Sequence, residues 1–297
     1  MLTGIRTVFL GGDARQLEVI RKCVEMDATV YAAGFEKWET PIPDVKLEPL
    51  SSELLGCADV LVLPAAGCDE EGNLAAAYSS GPMRLLEEHF AALPTGCTVY
   101  TGIAKNYLRS LCASHSLRLV ELMSRDDVAI YNSIPTAEGA LVVAIQNTDF
   151  TIHGSCSVVL GMGRIGFTMA RSLQGLGARV KMGVRKLEHY ARAEEMGWKP
   201  FITDSLMEQV KEADLIFNTI PSMILTAEVL SRIPKHCVII DLASAPGGCD
   251  FRYAEQHGIK AIPALGLPGI VAPRTAGMII GSALVQSISD EALHNRL

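Results

Sequence analysis

The sequence predicts an α/β protein of two domains, each a parallel sheet flanked by helices. Three observations carry that expectation. At 297 residues the chain exceeds the usual size of one domain. Short β-branched runs alternate with longer helical patterns through both halves, as in successive β-α-β units. The alternation restarts after the middle of the chain around a glycine-rich turn. Hydrophobic residues make up 49% and charged residues 20%, enough to bury a sizeable core and far from the composition of a disordered chain.

In the first half, TVFLGGD, ATVYAAGF, ADVLVLPAAG and CTVYTGIA read as strands, with ARQLEVIRKCVEM and PMRLLEEHFAAL as helices between them. The GGD of residues 11–13 follows a strand but lacks the third glycine of a phosphate loop, so it reads as a turn and helix cap. Apolar spacing over residues 136–148 predicts a helix leading out of the first domain. In the second half the strands are CSVVLGM, RVKMGVR, DLIFNTIP, CVIIDLAS and KAIPALG. The last segment, TAGMIIGSALVQSISDEAL, has helical spacing and is expected to return to the first domain. The boundaries are therefore set at 1–135, completed by a helix over 275–297, for an N-terminal flavodoxin-like substrate domain, and at 136–274 for the second domain, with a cleft between them.

Net charge and cysteine usage narrow the function classes. With 33 acidic against 26 basic residues the net charge is -7, which offers no basic field to a nucleic acid. The eight cysteines form no CxxC pair and several lie in apolar runs, which predicts reduced core thiols. Histidines are scattered with no metal-ligand spacing, so no metal is expected. No secretory leader is read at the amino terminus and no apolar run of membrane-spanning length, so a cytoplasmic protein that does not meet a membrane is expected.

The run SCSVVLGMGRIGFTMA carries the strongest chemical signal. Gly161, Gly163 and Gly166 fit GxGxxG between a strand and a helix, followed by a second strand. In that context the first glycine allows a tight turn, the second lets the backbone approach a pyrophosphate, and the third lets helix and strand pack closely. Arg164 and Ile165 would open the helix whose free N–H groups receive the negative charge. The second domain is thus expected to be a Rossmann dinucleotide-binding fold. An NAD site places an acidic residue at the end of the next strand to bind the ribose. Here Val184 stands there, followed by Arg185 and Lys186. NADP is favoured, because a guanidinium can grip the extra phosphate through paired hydrogen bonds, with NAD still possible. The alternative is that Arg185 and Lys186 are a solvated pair on a loop.

The segments TVFLGGDARQLEVIRKCVEMDATVYAAGF, SIPTAEGALVVAIQNTDFTIHGSCSVVLGMGRIG, NTIPSMILTAEVLSRIPKHCVIIDLASAPGG and ALGLPGIVAPRTAG together resemble the dipicolinate synthase A-chain family over nearly the whole length. The second half is more loosely similar to the cofactor domains of alanine dehydrogenase, adenosylhomocysteine hydrolase and D-2-hydroxyacid dehydrogenases. The resemblance implies NAD(P)-dependent oxidation of dihydrodipicolinate, a lysine-pathway intermediate, to pyridine-2,6-dicarboxylate. It also implies a flavoprotein-like B-chain of dipicolinate synthase as partner and a place in the mother cell of a sporulating bacterium. Oxidoreductases of this build commonly pair through their cofactor domains, so a homo-oligomer is expected.

Such a reaction needs cations and hydroxyls to hold two carboxylates, and a proton acceptor. Lys105 and Arg274, each following a strand, are the candidate cations, or else ordinary surface charges. Ser133 and Thr136 are candidate substrate donors. Glu138 is either a proton acceptor or, with Thr136, part of the first turn of its helix. Loops after later strands line the nicotinamide side of such sheets. Thr219, Pro221, Ala243, Ser244, Gly266, Leu267 and Pro268 are therefore candidate cofactor contacts, or plain turn chemistry. A D-2-hydroxyacid dehydrogenase-like reductase is the nearest rival, although no histidine lies in LGLPGIVAPRTAG to move a hydroxyl proton. A non-catalytic, cofactor-binding regulatory protein is the other.

Overall fold

The computed structural model describes residues 1–294. The expected closing helix over 275–297 includes residues 295–297, which lie outside the described residues. The chain divides into two units, one formed by Met1–Ala129 together with the segment from Ala272 onward, the other by Ile130–Val271.

In the first unit the elements run β1 (Arg6–Leu10), α1 (Ala14–Glu25), β2 (Thr29–Ala33), β3 (Val45–Leu47), α2 (Ser52–Gly56), β4 (Val60–Val62), β5 (Asn73–Leu74), β6 (Met83–Arg84), α3 (Glu87–Ala91), β7 (Thr98–Thr101), α4 (Asn106–Ser114) and β8 (Arg118–Glu121). Six strands form a parallel sheet in the order β3-β2-β1-β4-β7-β8, a doubly wound arrangement that reverses direction beside β1. β1, β4 and β7 are almost wholly buried, as strands covered on both faces must be. The Gly11–Gly12–Asp13 turn behaves as a cap, with the Asp13 carboxylate accepting from the Arg15 backbone N–H at 3.0 Å. The expected helix PMRLLEEHFAAL is shorter than its pattern, because Met83–Arg84 pairs antiparallel with Asn73–Leu74 and leaves only Glu87–Ala91 helical.

A long helix, α5 (Asp126–Asn147), leads into the second unit. It starts ten residues before the expected 136 and carries Pro135 in its interior. Proline withholds one N–H from the helical ladder. On either side of the Tyr131 carbonyl that this leaves, Ser133 Oγ donates to the Ile130 carbonyl at 2.6 Å and Thr136 Oγ1 to the Asn132 carbonyl at 2.7 Å. Contrary to the sequence reading, this helix is long and apolar enough to cross a membrane by length and composition, a test that core helices of globular proteins also pass. Its Ala137, Ala140 and Ala144 are fully buried against the second unit's sheet.

The second unit continues with β9 (Cys156–Leu160), α6 (Arg164–Gly175), β10 (Arg179–Val184), α7 (Leu187–Glu195), β11 (Lys199–Ile202), α8 (Leu206–Gln209), β12 (Leu215–Asn218), α9 (Ala227–Leu230), β13 (Val238–Asp241), α10 (Phe251–Gln256), β14 (Lys260–Pro263) and α11 (Leu267–Val271). Its parallel sheet runs β11-β10-β9-β12-β13-β14, with the direction of winding reversing between β9 and β12. This is the Rossmann order. β11 escaped the sequence reading because it carries Pro200, which is tolerated there since the strand lies at the sheet edge.

The last helix, α12 (Pro273–His294), packs on α1 within the first unit. The contact is close because Gly277 and Gly281 face α1: a Cβ on Gly277 would stand 2.4 Å from the Arg15 carbonyl oxygen. Ile280, Leu284 and Ile288 join the core beneath. Glu291 accepts from the Tyr100 hydroxyl at 2.8 Å and pairs with Arg118 at 3.1 Å, which ties the helix to β7 and β8. All eight cysteines are free thiols, and burial pushes Cys23 up to about 12, so it stays protonated and inert at neutral pH.

Candidate nucleotide site

The glycine turn after β9 opens a cavity of about 580 Å3 lined by Gly161, Met162, Gly163, Gly183, Val184, Arg185, Lys186, His189, Thr219, Ile220 and Pro221. It lies at the carboxyl ends of the strands where the winding reverses, the position at which open α/β sheets bind ligands. Each glycine has a separate steric reason. Gly161 adopts φ +92, and a Cβ there would meet Thr219 Oγ1 at 2.6 Å. A Cβ on Gly166 would come within 1.9 Å of the Gly161 carbonyl oxygen, so helix and turn can touch only without a side chain. A Cβ on Gly163 meets nothing within 4 Å, so the residue's bare face opens outward.

Gly163 is also the N-cap of α6, with no side-chain cap and no acidic residue in the first turn. The N-terminus of α6 therefore has no carboxylate or capping side chain from its own N-cap and first turn to compete with an anion. A phosphate supplies an acceptor there and gains from the positive end of a twelve-residue helix. Thr219 locks the turn from the neighbouring strand, its Oγ1 donating to the Leu160 carbonyl at 2.8 Å.

At the ribose end, Val184 is buried and offers no carboxylate. Arg185 is exposed on the cavity rim. Lys186, at the N-cap of α7, pairs with Glu188 at 3.4 Å, an exposed contact of little energetic weight. His189, on the same helix, also lines the cavity and was not anticipated. Its signal was its place within one turn of the Arg185–Lys186 pair.

The loops behind the cavity are fastened by a buried pair that sequence reasoning missed. Asn218 and Asp241, at the ends of β12 and β13, are 0% and 2% exposed. Asn218 Nδ2 donates to Asp241 Oδ1 at 2.8 Å and to the Ile220 carbonyl at 3.1 Å. Asp241 also accepts from the backbone N–H groups of Ala243 at 3.1 Å and Gly248 at 3.0 Å. Gly248 is required there, since a Cβ would lie 2.1 Å from Asn218 Nδ2.

The remaining expected contacts separate from this cavity. Ala243 is buried on the Asp241 loop and Ser244 is exposed beside it, and neither belongs to the lining. Leu267 and Pro268 are buried, with Leu267 Cβ against Gly139 of α5, so their side chains pack the core. Thr136 does not cap a helix start but lies mid-helix, for the reason given above. Ser133 is 1% exposed and shares its hydroxyl with Thr168 Oγ1 at 2.6 Å, which commits it to joining α5 and α6. Glu138 is exposed on α5, well past the helix's first turn.

The two candidate cations belong to the first unit, in separate places. Lys105 is the N-cap of α4, beside a loop whose Asp69 carboxyl is held below the usual range by the Asn73 side chain, with the Lys105 charge adding to the effect. Arg274 stands in the first turn of α12, lining a small cavity of about 140 Å3 with Glu18, Arg21, Lys22 and Glu25 of α1. That gives it acidic neighbours within its own unit. Among the described residues no cluster of metal ligands is present.

Residues 6–123 match the N-terminal domain family of the dipicolinate synthase A-chain, and residues 137–246 match the NAD binding domain of D-isomer specific 2-hydroxyacid dehydrogenases. The dipicolinate synthase A-chain of Bacillus subtilis (strain 168) is 46% identical over 293 residues, covering 98% of both proteins. This protein belongs to the dipicolinate synthase A-chain family. The crystal structure of the Bacillus halodurans A-chain superposes with a TM-score of 0.93 at 46% identity, covering 96% of this protein and 98% of that one. Alanine dehydrogenase 1 of Staphylococcus aureus is 28% identical over 174 residues, about half of each protein. The first unit thus carries the domain particular to dipicolinate synthase A-chains, whereas the second is a nicotinamide-binding domain of dehydrogenase type.

Proposed function

We propose that the protein, as the A-chain of a dipicolinate synthase, oxidises dihydrodipicolinate to pyridine-2,6-dicarboxylate with NADP+, or with NAD+ less favourably. The observation that supports this most is full-length similarity to a dipicolinate synthase A-chain, combined with a glycine cradle that accepts a dinucleotide. A nicotinamide held at the glycine turn would supply the acceptor for a hydride from a ring carbon. A proton leaves with it, and the ring becomes aromatic, which supplies much of the driving force.

The protein's part is to bind and orient. Gly163 and the first turn of α6 take the pyrophosphate. Arg185 takes the 2′-phosphate at a position where Val184 cannot repel it. Thr219 and Pro221, held by the Asn218–Asp241 pair, shape the wall beside the cofactor. The substrate is a dianion, and Lys105 or Arg274 is our candidate for holding its carboxylates. Glu138 remains the candidate acceptor for the released proton. A flavoprotein-like B-chain and further copies of this chain are the proposed partners, in the cytoplasm of a sporulating mother cell.

Turnover tests the proposal. The purified protein, mixed with dihydrodipicolinate and NADP+ with and without the flavoprotein-like partner, should form reduced nicotinamide as pyridine-2,6-dicarboxylate appears. Dinucleotide binding with no turnover in either mixture would favour a regulatory role instead.

A further inference from the structure

At the opposite end of the second unit's sheet lies a second cavity, of about 410 Å3, lined by Cys156, Gln174, Arg179, Lys181, Trp198, Lys199 and Glu212 among others. β10 joins the two cavities: it starts here at Arg179 and ends at Val184 in the nucleotide cavity. Arg179 and Lys181 are two residues apart on one strand, so their side chains leave the same face. Lys181 is in register with Lys199 of β11, which puts two lysines side by side on that face. Like charges so placed oppose pairing of the strands.

Local carboxylates do not balance this group. Glu212 approaches Lys181 Nζ at 3.6 Å but its side chain is 82% exposed. Lys181, whose side chain is only 10% exposed, otherwise donates to the Gln209 carbonyl at 3.2 Å. Arg179 uses Nε on the Gly154 carbonyl at 3.1 Å. The Lys199 side chain has no hydrogen bond or ion pair among the described residues. Three cations of the lining therefore face one lining carboxylate, and the nearby Asp214 carboxylate is engaged by the Cys156 N–H at 2.7 Å and by His236 Nε2 at 2.9 Å, in a chain whose acids outnumber its bases by 33 to 26. The wall is fixed as well, since Trp198 Nε1 donates to Gln174 Oε1 at 3.0 Å and Gln174 Nε2 donates to the Met196 carbonyl at 3.0 Å.

We propose that this cavity is a second ligand site, built for a compact dianion carrying carboxylate or phosphate groups. The ligand sits between Arg179 and Lys199, relieves the lysine pair, and leaves the glycine turn free for its dinucleotide. The inference does not depend on the proposed reaction, because it rests on the cavity and the charge register of β10 and β11.

The test is equilibrium binding to the full chain, with saturating NADP+ to occupy the glycine turn and at constant ionic strength. The probes are inorganic phosphate and pyridine-2,6-dicarboxylate, with pyridine-2-carboxylate as the monoanion. Arg179→Gln and Lys199→Gln are the variants, since both residues are exposed, and far-ultraviolet circular dichroism checks that each variant stays folded. Saturable binding of a dianion is expected, stronger than of the monoanion. Each variant should weaken it about tenfold, the scale of one lost charge-assisted bond. NADP+ affinity should be unchanged. Phosphate binding alone assigns the site to phosphate-bearing ligands, and preference for the dicarboxylate assigns it to the pathway's own chemistry. Dianion binding that is absent, or equally tight in both variants, overturns the proposal, and a dicarboxylate held only at the nicotinamide site would show just that insensitivity.

Discussion

At the scale of one residue, the proposed NADP preference turns on Arg185. It follows a buried valine at the position where a carboxylate would bind a ribose and repel a phosphate. Its guanidinium lies on the cavity rim, where a 2′-phosphate would neutralise it. Arg185→Ala is expected to weaken NADPH about tenfold or more while leaving NADH within about twofold, the loss of one charge-assisted contact. Fluorescence titration of both reduced cofactors measures this, and equal losses for the two would remove Arg185 from the phosphate site. The three glycines were legible at this scale because each obeys a local steric rule that a motif records. Asn218 and Asp241 were not, because their value arises only when two loops from different strands meet. The mid-helix place of Ser133 and Thr136 was not legible for a related reason: their hydroxyls bond carbonyls of α5, and Ser133 also Thr168 of α6, and nothing local in the sequence shows that the helix has already begun.

Helices and strands show the same division. β9, α6 and β10 were readable because a buried strand, a glycine turn and an amphipathic helix follow one another without interruption. The start of α5 was hidden by Pro135, which reads as a boundary although serine and threonine side chains supply donors around it. β11 was hidden by Pro200, harmless only because that strand is at an edge. The seat of α12 on α1 rests on backbone proximity at Gly277. Gly277→Val should force the two helices apart and lower the first unit's stability by about 1 to 3 kcal/mol, the ordinary cost of overpacking. Urea denaturation measures it, and an unchanged midpoint would show that the helix shifts without cost.

For the whole molecule, pH and the reaction itself are the two levers. Asp59 is tied to Arg6 by side-chain hydrogen bonds of 2.7 and 3.0 Å, and the Arg6 bond holds the Asp59 carboxyl below its usual range. A carboxylate with a lower pKa folded than unfolded adds stability above the unfolded value, near 4, which is lost as the pH falls through the folded value. Both groups are partly exposed, so the effect is modest. Asp59→Asn should therefore lose less of its urea midpoint between about pH 5 and pH 2 than the parent chain does, whereas equal losses would show that the pair does not contribute. The proposed activity is the transfer of a hydride from dihydrodipicolinate to a nicotinamide by this chain. Its most direct test is anaerobic incubation of the chain with ring-deuterated dihydrodipicolinate and NADP+, with the flavoprotein-like partner present, followed by mass analysis of both products. One deuterium in the reduced cofactor for each pyridine-2,6-dicarboxylate formed is expected, and dicarboxylate formed with no deuterium in the cofactor would contradict the claim.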